Sequence, residues 1–63
     1  MLAIPTDVYE NGDLVRIEFY DTDGEFIIQA EWDPNDEQTS PNRELFRKWA
    51  YTMVERNEYE VAK

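Results

Sequence analysis

Two turn signals cut the first half of the chain into strand-length pieces, and nothing constrains the fold more. Asn11-Gly12, inside "ENGD", is the strongest two-residue hairpin signal, because a type I′ turn needs positive φ at both central positions. "DTDG", residues 21–24, is a four-residue turn in which Gly24 can take the left-handed position. Three strands follow, the last running to Trp32.

Alternation sets their register. Pairing across the first turn places Val8 opposite Val15 and Thr6 opposite Ile17; pairing across the second places Phe19 opposite Phe26, Ile17 opposite Ile28 and Val15 opposite Ala30. One face then carries Ile4, Thr6, Val8, Val15, Ile17, Phe19, Phe26, Ile28, Ala30 and Trp32. The other carries Asp7, Tyr9, Leu14, Arg16, Glu18, Tyr20, Glu25, Ile27, Gln29 and Glu31, with Asp7 and Arg16 as a cross-strand charge pair.

The apolar face needs a cover, and the segment from Ser40 supplies one. Ser40 can cap, Pro41 suits the first helical position, and Leu45, Phe46, Trp49, Ala50 and Met53 recur at helical spacing. A helical wheel sets Tyr51 on the polar side with Arg47, Lys48 and Glu55, the helix bases pairing with Glu44 and neighbouring acids. "RNEYEVAK" holds no clear stop signal. The expected fold is α+β: a three-stranded antiparallel meander over residues 1–32, an acidic connector over 33–41 and one amphipathic helix over 42–60, all in one domain, β-β-β-α.

Charge is divided unevenly. Residues 1–40 hold eleven acids and one base, Arg16, a net of -10; residues 41–63 hold four acids and five bases, a net of +1. Such a field repels nucleic acid and membrane surfaces and speeds encounter with basic partners. Two Trp, four Tyr and three Phe argue for a packed core rather than disorder. The absence of Cys fits a reducing cytoplasm, the host's if the chain is viral, and no apolar run approaches a membrane span or a signal peptide.

Catalysis and metal binding find little support. With no His or Cys the commonest general base, thiol nucleophile and zinc ligands are missing, and the sole serine, Ser40, suits a cap. "DTDGE" begins like a calcium loop, but the sixth and twelfth positions from Asp21, where glycine and glutamate belong, hold Phe26 and Trp32. No enzyme, no cofactor and no metal is the expectation.

The meander brings the first turn and the end of the third strand to one end of the sheet, so Glu10, Asp13, Glu31, Asp33, Asp36 and Glu37 form an acidic pole. Asp21, Asp23 and Glu25 mark the other end, and Glu18 lies between on the solvent face. Turn chemistry, solubility and the helix dipole account for many of these acids one by one. They account less well for eleven acids against one base. Side chains two apart on a strand face stand roughly 7 Å apart, comparable with the repeat of phosphates along a nucleic-acid strand. The surface is therefore expected to occlude a basic, nucleic-acid-binding site on a host protein by imitating phosphates, without binding nucleic acid or membrane itself. Tyr9, Leu14, Tyr20 and Ile27 interrupt the same face, and Tyr20 and Ile27 are candidate apolar anchors beside the acids. In size and charge, not in motif, the chain is similar to the small acidic proteins by which bacteriophages inhibit host nucleic-acid-handling enzymes. The alternative expectation is a structural or assembly module that docks, or forms a homo-oligomer, through its exposed sheet face or an edge strand.

Overall fold

The computed structural model describes residues 1–35 and 42–62 and shows an α+β fold built from a mixed sheet and one helix. Strands β1 (Leu2–Glu10), β2 (Asp13–Tyr20) and β3 (Phe26–Glu31) form the meander, α1 (Arg43–Arg56) crosses one face, and a short β4 (Glu60–Val61) returns to the sheet. The order is β3-β2-β1-β4, with β4 parallel to β1 and the other pairings antiparallel.

Both turns take the backbone that their residues favour. Asn11 and Gly12 lie at φ 52 and 83, and Gly24 at φ 83. Asp21 organises the second turn: its carboxylate accepts from the Asp23 and Glu25 N–H groups, both at 2.9 Å, and its carbonyl accepts from Gly24 N–H at 3.1 Å.

The register between β1 and β2 differs from the expected one. Tyr9 faces Leu14, but Val8 faces Arg16, Asp7 faces Ile17 and Pro5 faces Phe19, because Val15 is an extra residue in a bulge. Leu14 and Ile17 lie three apart yet are both buried, which strict alternation forbids. The bulge turns β1 over: Ala3 is fully buried and Asp7 reaches the helix, while Ile4 and Thr6, expected in the core, are exposed. Leu14, expected on the solvent face, belongs to the core.

A second bulge shifts β3. Phe19 faces Ile28 and Ile17 faces Ala30, two residues from the expected pairing, which leaves their facing unchanged; past Ile27 the strand is inverted, and Phe26 stands opposite Tyr20. Phe26 is therefore 55% exposed rather than buried. Ile27, expected on the solvent face, is half-buried and packs against the core.

The helix begins at Asn42, whose extended backbone (φ -157) and side-chain Oδ1, accepting from Leu45 N–H at 3.0 Å, make it the cap. Ser40 and Pro41, the expected start signals, lie outside the described residues. Phe46, Ala50 and Val54 are fully buried against Ile17 and Phe19, each large side chain contributing about 1.5–3 kcal/mol relative to exposure. Leu45 and Trp49, expected in the core, are 46% and 38% exposed, although Trp49 stacks on Phe46 at 6.4 Å. Tyr51 is half-buried, edge-on to Phe19 at 6.0 Å, rather than on the polar side.

The helix stops at Arg56, earlier than expected, through a device built without glycine. Glu58 N–H donates to the Glu55 carbonyl at 3.1 Å and Tyr59 N–H to the Val54 carbonyl at 3.4 Å, the nested bonds of a left-handed stop. The left-handed residue is Glu58, at φ 68, where a side chain costs about 1–2 kcal/mol relative to glycine. The stop redirects the chain so that Glu60 N–H reaches the Met1 carbonyl and Ala62 N–H the Ala3 carbonyl, both at 2.9 Å, adding the fourth strand and burying Val61.

Candidate functional site

Since the helix covers one face, no described element covers the outer face of the sheet. Cross-strand register arranges that face in rows: Ile4, Tyr20 and Phe26; then Thr6, Glu18 and Gln29; then Val8, Arg16 and Glu31. The first row is apolar, with Tyr20 and Phe26 edge-on at 5.9 Å. Of the four apolar residues expected on this face, Tyr20 remains. Tyr9 turns to the helix side, where its hydroxyl donates to Asp7 at 3.3 Å. Ile4 and Phe26 take the vacated role, missed because "EFIIQA" offers three consecutive apolar residues and no sign of which one is extra.

Glu18 sits centrally, half-buried, accepting from the Tyr20 hydroxyl at 2.6 Å and from Arg16 Nε at 2.8 Å. Those two donors hold its carboxyl below the usual range, the tyrosine contributing most, and the same bond raises the Tyr20 phenol. Glu18 is thus committed to an internal network. Arg16 pairs with Glu18, not with Asp7 as alternation suggested.

The acids at the first turn do come together. Glu10 faces Asp13 and Arg16 faces Glu31, and the charges of Glu31 and Glu10 both act on the Arg16 guanidinium. Asp33 follows β3 at this end, its carboxylate accepting from Asn35 N–H at 2.9 Å. Arg43 comes near from the helix, 3.8 Å from Asp13, and lies over the Trp32 ring, 3.7 Å from its centroid. Asp36 and Glu37 lie outside the described residues. At the opposite end Asp23 and Glu25 are exposed, while Asp21 is engaged by the turn.

Two helix bases turn toward the sheet. Arg47 grips Asp7 with both terminal nitrogens, at 2.9 and 2.8 Å, under the sheet. This bidentate pair, chiefly its hydrogen bonds, holds the Asp7 carboxyl below the ordinary carboxylate range and raises Arg47. On the outer face and at the ends, Glu10, Asp21, Asp23, Glu25 and Glu31 form no salt bridge among the described residues.

A depression of about 350 Å³ between β4 and the helix end is lined by Leu2, Glu55, Glu60, Val61 and Ala62, with two carboxylates and no nucleophile. Among the described residues no group of three potential ligands is placed to hold a metal ion, and no helix is long and apolar enough to cross a membrane. Comparison with protein-family models, with curated proteins and with solved structures gives no match.

Proposed function

We propose that this chain is a non-enzymatic acidic binding protein that occupies a basic, nucleic-acid-binding surface of a partner protein and keeps nucleic acid out of it. One observation carries the reading: Glu10, Asp13, Glu31 and Asp33 gather at one end of the sheet, whose outer face no described element covers and where Arg16 is the single strand base, while Arg47 is drawn beneath the sheet. Carboxylates held on strands and turns can stand where phosphates would, and their fixed backbone lowers the ordering cost of binding. The mechanism is occlusion, with steering by the long-range field. The likeness in size and charge to small acidic bacteriophage inhibitors supports the reading by analogy, which would place its partner in a host cytoplasm.

The test begins with capture of the partner from the native host's lysate at low and then high salt, followed by competition with duplex DNA on the purified pair. The triple variant Glu10→Gln, Asp13→Asn, Glu31→Gln is expected to fold normally and to lose about tenfold or more in affinity at low salt, and DNA is expected to displace the protein. Unchanged affinity together with simultaneous DNA binding would exclude occlusion.

A second reading draws on the row Ile4, Tyr20 and Phe26, an exposed apolar strip suited to docking. In that case Ile4→Ser with Phe26→Ser abolishes binding while the acid-to-amide variant only slows association.

A further inference from the structure

The two long margins of the sheet are finished differently. On the β1 side, β4 covers Leu2 and Ala3, and Pro5, whose backbone points the same way as that of Ala3, has no N–H to continue the ladder. At its Leu2–Pro5 end that margin is occupied by a short strand and interrupted by a proline. The β3 margin, Phe26–Glu31, carries no proline and no lysine. Trp32 N–H donates to the Val15 carbonyl at 2.8 Å, so by alternation Ala30 and Ile28 turn their backbone groups toward β2, while Gln29 and Glu31 turn theirs outward. Among the described residues no other strand pairs with them.

We propose that the β3 margin accepts an extended, lysine- or arginine-rich segment of a partner protein as a fifth strand. The inference rests on the reading that the partner is basic and names the element recognised. Outward N–H and C=O groups supply backbone bonds, and charge selects the occupant. Glu25 and Glu31 bracket an uncharged run, roughly 17 Å apart with the bulge at Ile27 allowed for, which fits cations near the two ends of an added strand with apolar or hydroxyl residues between. A second copy fits badly: antiparallel pairing of β3 with itself sets Glu31 of each copy toward Glu25 of the other, between molecules of net charge -9. Nucleic acid is repelled by the same charge.

The probe is a capped synthetic peptide, acetyl-Lys-Thr-Val-Thr-Val-Thr-Lys-amide, titrated into the whole protein and followed by amide hydrogen exchange. The Gln29 and Glu31 amides are expected to slow by about tenfold or more at saturation, and the dissociation constant to rise by about tenfold from low to high salt. A peptide with Glu in place of Lys is expected not to bind, nor one N-methylated on alternate residues. Gln29→Pro removes an outward N–H and no ladder bond, so it is expected to fold and to lose the peptide. Should that variant unfold, the N-methylated peptide answers the same question. Lysine-dependent binding that survives N-methylation, or that leaves Gln29 and Glu31 unprotected, would overturn strand addition and leave the acidic-surface reading standing. Equal binding of the Glu peptide would overturn selection by charge. No binding by any peptide would overturn the inference, and the DNA competition then decides the occlusion reading separately.

Discussion

Asp7 shows how far one side chain can depart from its apparent place. Strict alternation sets it on the solvent face against Arg16; the bulge at Val15 carries it under the sheet, into the fork of Arg47. Because its carboxyl is depressed in the folded state, the pair's contribution to stability is present above the unfolded value near pH 4 and is lost as pH falls through the folded value. Asp7→Asn is expected to cost about 1 kcal/mol at neutral pH, allowing for solvent screening at this partly exposed site. That difference should shrink steadily below about pH 4 in urea titrations of both proteins. A gap that persisted in acid would mean that Asp7 acts through packing instead. The residues legible from sequence are those whose chemistry is local: Asn11, Gly12 and Gly24 adopt positive φ because of what they are. Glu58 adopts it because β4 and the buried Val54 require the chain to turn there, and a glutamate does not announce that.

Among the elements, β1, β2, β3 and the helix were readable from turns and periodicity, but which residues faced inward on β1 was not. "DLVRI" places Leu14 and Val15 side by side, so either could lead the buried row, and only tertiary packing chooses. The same ambiguity at Phe26, Ile27 and Ile28 hid the second bulge. β4 escaped because two residues cannot display a period. The candidate site carries the same ambiguity: the turn fixes Glu10 and Asp13 at one end of the sheet, whereas nothing local fixes the apolar row. Phe19→Ala is expected to cost about 3–5 kcal/mol, enough to unfold so small a domain. Phe26→Ala, at an exposed site, should change stability by about 1 kcal/mol or less. Comparable losses in chemical denaturation would mean that both phenylalanines share the core.

At the scale of the whole molecule, the ion pairs seen among the described residues stand against a net charge of -9, and self-repulsion outweighs them because those pairs are partly exposed. Added sodium chloride is therefore expected to raise the thermal midpoint by a few degrees, on the order of 0.5–1 kcal/mol for a domain of this size. A falling midpoint would give the ion pairs the larger share. The parallel pairing of β1 with β4 has a mechanical meaning as well. Met1 lies at the trailing end of one strand and Ala62 at the leading end of its neighbour, with bonds from Glu60 to Met1 and from Ala62 to Ala3 between them. A force that draws the two termini apart loads both bonds together in shear, whereas a force across the Asn11-Gly12 hairpin would part its rungs one after another. A pull that separates the two strands along their length must therefore break these bonds together rather than in turn.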